Sequence, residues 1–326
     1  MTELICKLFN AFITLILVVF VVYYDKKLKK CLKRIAIVDD TLEQLGTTTN
    51  YQKLRKRTVW LILGWLMISI IMNIIETLWL KDQYNNLSAI IIIYVPCILN
   101  YCAHTNFVDD MIFITILGYL ELKFDQINEN LQKIIRNNNG ITQVTDNHVL
   151  QSRQRKVLET LSSEHMIWIV MHLHLELCNI SREVNSIFGL QLTLKMGLYF
   201  GFISVAIQEI FEAIFIKGYA NETGKLFFVI FLWIIVHMIK LFFINYTCER
   251  VSAKANAAGD IINNAPYSIC DTEIRENILQ FLLQLTQAPL KFYGLGLFQF
   301  GFKFFQGFIR SVATVLTIII QAHVNK

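Results

Sequence analysis

Proline is nearly missing from this chain, with three in 326 residues, and glycine stands at only 14, so collagen-like and low-complexity disordered architectures are excluded. Charge is scarce as well: 17% Asp, Glu, Lys and Arg falls well below the quarter usual in soluble domains. The net charge of +5 is too small to announce a nucleic-acid partner, and its position matters more than its size. Seven cysteines, at 6, 31, 97, 102, 178, 248 and 270, give an odd count and no C-x-x-C pair, which argues against a disulfide framework or a zinc site. Phosphate loops, nucleophile elbows and triad spacings do not occur either, so no enzyme and no cofactor is expected. The paired interrupted halves of a transporter are missing too; Pro96 breaks one apolar run without a counterpart and reads as a local kink.

What is present is apolar surface in long runs. Hydrophobic residues make up 55% of the chain, 24 of them phenylalanine, and the mean hydropathy is +0.47. A bilayer core of roughly 30 Å needs about 20 apolar residues per helix. Six segments qualify, at about 4–24, 58–80, 88–107, 196–216, 225–247 and 302–322. The first carries only Lys7 early on, has no small-residue cleavage site and ends on the basic run DKKLKK, so it is expected to be a retained span and not a signal peptide. The fold class is therefore an all-α polytopic membrane protein, a single domain over 1–326 with the lipid bilayer as its first partner.

Orientation follows from the basic residues. Lys26, Lys27, Lys29, Lys30, Lys33, Arg34, Lys53, Arg55, Lys56 and Arg57 all lie between the first two spans, and the positive-inside rule places that segment in the cytoplasm. By alternation the long segments 108–195 and 248–301 are cytoplasmic and the carboxy terminus is extracellular. The sequons at Asn86 and Asn221 fall in the short turns that this orientation puts outside.

The cytoplasmic segments are not plain loops. Met111, Ile114, Leu117, Leu120, Phe124, Ile127, Leu131 and Ile134 recur at three and four, so the third span is expected to continue as a helix over about 108–136. A polar, aperiodic, glycine-bearing stretch, 137–155, is expected as a mobile linker. Amphipathic helices are expected over about 156–188 and 272–292, and three such helices must bury their apolar faces in a cytoplasmic bundle able to hold subunits together. Glu164, His165, His172, His174 and Glu176 bring imidazoles and carboxylates close in sequence, but without an H-E-x-x-H pattern they read as bundle residues, and no metal site is expected.

The last span carries the sharpest signal. Lys303, Gln306, Arg310, Thr314, Thr317 and Gln321 fall three or four apart on an otherwise Phe, Ile, Val and Leu helix. Such a stripe faces water or a partner, because an ionisable group is costly against hydrocarbon. Several copies around a symmetry axis enclose a pore lined by Arg310, Thr314, Thr317 and Gln321. The other reading has the Thr and Gln side chains bonding to a neighbouring helix of the same subunit.

The string TVLTIIIQA, Thr314 to Ala322, resembles the carboxy-terminal Thr-Tyr-x5-Gln-Phe signature of insect gustatory receptors, relatives of the odorant receptors. Thr314 and Gln321 match, while Val315 and Ala322 stand where Tyr and Phe are usual. The stretch from IRENILQFLL into the last span, LELKFDQINENLQ and VDDTLEQLG…YQKLRKR are similar to family features as well. The resemblance implies a multi-pass plasma-membrane receptor in the dendrites of gustatory neurons. It would be a tastant-gated, non-selective cation channel assembled as a homo- or hetero-tetramer with other gustatory receptors through intracellular helices, with the last helix lining the pore. The family has seven spans with a cytoplasmic amino terminus, and the first apolar segment here aligns with the family's second. A shortened gene model, a misplaced start or a six-span variant each account for that. Four copies of Arg310 near one axis would repel cations unless the side chain turns away or pairs with an acid.

The resemblance also places a small-molecule tastant pocket in the outer half of each subunit. Polar and aromatic residues there are Asn73, Glu76 and Trp79 on span two, Tyr94 on span three, and Gln208, Glu209 and Glu212 on span four. Two alternatives remain at this point: an accessory, non-conducting chemoreceptor subunit, and a G-protein-coupled receptor suggested by Cys248-Glu249-Arg250. The second lacks an asparagine-proline signature in its last span and has the opposite orientation.

Overall fold

The computed structural model describes the backbone of residues 2–46, 51–83, 88–141, 151–215, 223–264 and 272–324. Among these residues run seven helices and one short hairpin: α1 (Thr2–Gln44), α2 (Tyr51–Gln83), α3 (Ala89–Ile141), α4 (Gln151–Phe215), α5 (Thr223–Asn263), α6 (Thr272–Gln287), β1 (Tyr293–Gly294), β2 (Phe298–Gln299) and α7 (Phe302–Val324). Five stretches are long and apolar enough to cross a bilayer: Leu54–Asp82, Ala89–Ile135, His165–Glu212, Phe227–Asn263 and Phe302–Ala322. The span expected at 4–24 lies within α1, where the described apolar stretch is Ala11–Phe20.

Several boundaries differ from the sequence reading for local reasons. α1 does not stop at the basic run but continues to Gln44, because Cys31, Ile35, Val38 and Leu42 recur at three and four and are all buried. α3 reaches Ile141 and α4 begins at Gln151, so both ends of the stretch expected as a linker are helical. Residues 142–150 lie outside the described residues, as do Asn86 and Asn221. α6 ends at Gln287 and not at 292, since Pro289 has no N–H to continue the ladder and disfavours a helical residue before it. The tight hairpin that follows turns through Leu295 and Gly296, both at positive φ.

Burial is uneven along the bundle. One core runs through the basic end, where Phe113, Leu117, Leu120 and Phe124 of α3 meet Leu177 and Val184 of α4, Leu241 and Cys248 of α5, and Phe281 of α6. Ion pairs brace the same end from four directions. Arg34 of α1 holds Glu176 at 2.7 Å and Glu183 at 2.6 Å on α4, and Glu121 of α3 receives Arg57 at 3.1 Å and Arg250 at 2.6 Å. Lys254 meets Asp125 at 2.6 Å, and Asp39 accepts from Lys123, Tyr51 and Tyr119. Burial alone would raise the Asp39 carboxyl, but these three donors outweigh it and hold it below its ordinary value. The histidines expected in this bundle have separate occupations: His172 stacks on Trp168 at 5.5 Å, while His174 Nε2 lies 2.8 Å from the Ala255 carbonyl, with its ring against Phe124 and Phe281. By contrast, the apolar windows of α2 and α7 are almost unburied within the chain.

Candidate functional site

Away from the basic end, α2, α3, α4 and α5 separate around a cavity of about 150 Å³. Its walls are apolar, built from Leu80, Val95, Leu99, Ala103, Val205, Ala206, Val229 and Ile230, with Trp79, Phe202 and Trp233 as aromatic surfaces. Pro96, inside α3, lies in this wall. An apolar cavity of about this size accepts a molecule on the scale of benzene.

Polar groups are few, and most serve one another. Glu76 on α2 accepts from Asn100 of α3 at 2.7 Å and from Trp233 of α5 at 2.8 Å, so one membrane-depth carboxylate ties three helices together at the cavity wall. Behind it Asn73 accepts from Asn100 at 3.2 Å and lies 3.3 Å from His104, which is also 3.1 Å from Ser69. His237 is buried beneath Trp233, with ring centroids 5.6 Å apart, and touches Phe202 at 4.5 Å and Tyr199 at 5.1 Å.

Below His237 begins an ionic cluster. Lys195 of α4 is fully buried and donates to Asp109 and Asp110 of α3, each at 2.6 Å, and to the Asn106 carbonyl at 3.1 Å. Tyr199, one turn along α4, donates to the other oxygen of Asp110 at 2.7 Å. Lys240 of α5 lies over the Phe107 ring at 4.5 Å and has no direct carboxylate partner among the described residues. Two lysines and two aspartates thus balance in charge between the cavity and the basic end.

Of the residues expected at a ligand pocket, Glu76, Trp79 and Glu209 line this cavity. Asn73 stands in the network behind the wall. Tyr94 is 62% exposed on the outer surface of α3, and Gln208 donates to Glu212 at 2.9 Å on the surface of α4; neither arrangement brings these three to the cavity. Asn100, His104, Trp233 and His237 were not singled out from sequence. The available signal was their polarity inside apolar runs, as in Trp233-Ile-Ile-Val-His237.

α7 presents two distinct faces. Phe304, Phe305, Phe308 and Val312 pack inward on the core. At about 100° per residue the stripe Arg310, Thr314, Thr317, Gln321 falls on the opposite side, and all four side chains are exposed. The Thr314 and Thr317 hydroxyls each donate at 3.0 Å to the carbonyl four residues earlier, so among the described residues they bond within their own helix and not to another.

The start of α7 is fastened to α5. Gly301 N–H donates to Asn245 Oδ1 at 2.9 Å, and Phe302 N–H to Glu249 Oε2 at 3.4 Å, a carboxylate at a helix N-terminus. Asn245 lies two turns beyond His237 on the same helix, about 12 Å along it. α5 therefore runs from the cavity to the root of α7.

The sequence profile of the 7tm chemosensory receptor family matches residues 1–326. The insect olfactory receptor OR5 from Machilis hrabei has a similar structure, with a TM-score of 0.69 over 96% of this chain and 79% of that one at 10% sequence identity. The same receptor in complex with eugenol gives 0.63 over 83% of this chain and 68% of that one, at 9% identity. At that identity the likeness is one of fold. No curated protein sequence matches the chain.

Proposed function

This chain belongs to the 7tm chemosensory receptor family, and from that premise we propose that it is a gustatory-type subunit of a tastant-gated cation channel in the plasma membrane, with its carboxy terminus outside. The observation that carries the proposal is the division of labour within one chain: a small cavity against the first part of α5, and further along the same helix a fastening to a helix whose polar stripe faces away from its own subunit. Four such chains around an axis would bring the stripes of Arg310, Thr314, Thr317 and Gln321 together. The gustatory type, as against the odorant type, is favoured by the Thr314-to-Gln321 spacing. The likeness of fold to a receptor solved with eugenol fits a small organic ligand in the cavity.

Gating is a population shift. A ligand seated against Trp79, Trp233 and Phe202 favours the arrangement of α2, α3 and α5 that fits it. Through Asn245 and Glu249, α5 then carries the start of α7 with it, and the ring of last helices widens near Thr317 and Gln321.

Cavity and stripe variants separate binding from conduction. In cells expressing the chain and challenged with a tastant panel, Trp233→Ala is expected to raise the half-activating concentration about tenfold or more. It removes an aromatic wall and a hydrogen bond to a half-buried carboxylate. Gln321→Leu is expected to alter single-channel conductance or ion selectivity and leave the half-activating concentration where it was. If Gln321→Leu left conductance untouched in a responding channel, α7 would not line the path, and the subunit would be an accessory to another pore.

A further inference from the structure

We propose that the outward face at the basic end of α1 and α2 is a binding site for anionic phospholipid headgroups of the cytoplasmic leaflet, formed by Lys26, Lys30, Lys33, Arg55 and Lys56. The inference goes beyond the channel reading and rests on the positive-inside orientation and on the faces of two helices.

Each helix shows the same sequence of surfaces along one exposed stripe. On α1 the exposed Val19, Val22 and Tyr23 lead at helical spacing into exposed Lys26, Lys30 and Lys33. On α2, running the other way, exposed Arg55 and Lys56 lead into exposed Val59, Trp60 and Leu63. Tyr23 is 74% and Trp60 72% exposed. Large apolar side chains turned out of the bundle meet acyl chains, and amphipathic rings settle at the glycerol level. Lys26, Arg55 and Lys56, about one turn beyond the rings, therefore stand at the depth of lipid phosphates, and Lys30 and Lys33 continue the stripe about one and two turns further out. Tyr51 at the foot of α2 donates to Asp39 of α1, and each helix carries its own cationic stripe at this end.

The second observation is a contrast in pairing. At the same end, Arg34, Arg57, Lys123, Arg250 and Lys254 all hold carboxylates of the protein. The five outward cations have no acidic partner among the described residues, and their neighbour Lys29 has only Asp25 of its own helix. A row of unpaired cations beside an acyl-facing surface matches an anionic headgroup in charge and depth, each cation adding up to about fivefold in affinity. A soluble anion would have no use for the adjoining apolar stripe.

The test reconstitutes the full-length protein in phosphatidylcholine bilayers carrying trace spin-labelled phosphatidylserine or phosphatidylcholine, and reads the motionally restricted fraction of each probe. The expected result is about a tenfold preference for the serine lipid. It should fall to parity in the variant K26Q/K30Q/K33Q/R55Q/K56Q and persist when the three lysines are replaced by arginine. Because the neutralised variant disturbs the charges that set orientation, salt supplies an independent arm on the unaltered protein. Raising KCl from about 0.1 M to about 1 M shortens the screening length from about 10 Å to about 3 Å and should remove most of the preference. Equal restriction of the two probes by the unaltered protein, or a preference that survives both neutralisation and salt, overturns the proposal.

Discussion

Replacing Lys195 by Met should destabilise the protein by about 3–5 kcal/mol, the cost of removing one partner from a buried ion pair and leaving the other charge uncompensated. Lys195 is fully buried and serves two carboxylates, so its loss strands Asp109 and Asp110 side by side inside the bundle. Tyr199 still donates to Asp110, but a single hydroxyl does not replace an ammonium shared by both acids. The measurement is the thermal midpoint of the detergent-solubilised protein, followed by fluorescence-detected gel filtration, alongside surface expression. Two companions make the reading specific. Asp109→Asn and Asp110→Asn combined with Lys195→Met should recover most of the loss, because it removes the stranded charges as well as their partner. Lys240→Met should be far milder: its ammonium rests on the Phe107 ring, a contact worth about 0.5–2 kcal/mol. Equal losses at Lys195 and Lys240 would mean that the ionic cluster is not what holds α3 to α4.

Lys195 also marks where the sequence stops being readable. The periodicity that predicts helix over 108–136 names eight residues, of which Ile114, Leu117, Leu120, Phe124, Ile127 and Leu131 are core, Ile134 packs against the core and Met111 is half-buried. Such a pattern is local, since residues three and four apart share a face whatever the face meets. Lys195 falls in the seam between the amphipathic stretch 156–188 and the span 196–216, and its partners are 86 and 85 residues away. No spacing rule joins positions so far apart. The cavity shows the same division. Glu76 and Glu209 were legible because a carboxylate inside a span needs a cavity or a partner. Tyr94, Gln208 and Glu212, named as polar or aromatic residues of the outer half, lie on other faces, because spacing fixes which residues lie together on a helix but not which way that side is turned. Asn100, Trp233 and His237 needed the rotation of α3 and α5 about their own axes, which only packing sets. The hairpin was out of reach for a different reason: strands of two residues carry no period to detect.

At Gly301 the hairpin hands the chain to α7, and Gly301→Ala is expected to cost about 2–4 kcal/mol and to abolish ligand-evoked current. Its φ of +143° lies where a residue with a Cβ is strained. The added carbon would collide with Glu249 Oε2. The carboxylate can swing away, but only by leaving the Phe302 N–H, so the start of α7 loses the negative partner that steadies its dipole. Backbone strain and a lost cap therefore arrive together at the point where α5 holds the last helix. Gly296 provides the comparison, because its φ is also positive at +74° while nothing lies within 4 Å of an added Cβ. Gly296→Ala should cost only the backbone term, about 1 kcal/mol, and leave currents intact. Gly301→Ala with Glu249→Ala relieves the collision but neither the strain nor the missing cap, so its thermal midpoint should recover only in part and the current not at all. Full recovery in that double variant would show that Glu249 merely crowds the hinge. Absence of recovery in current, with the protein at the cell surface, would mean that relieving the collision is not enough, and that the strain at Gly301 together with the lost Glu249 cap silences the proposed channel.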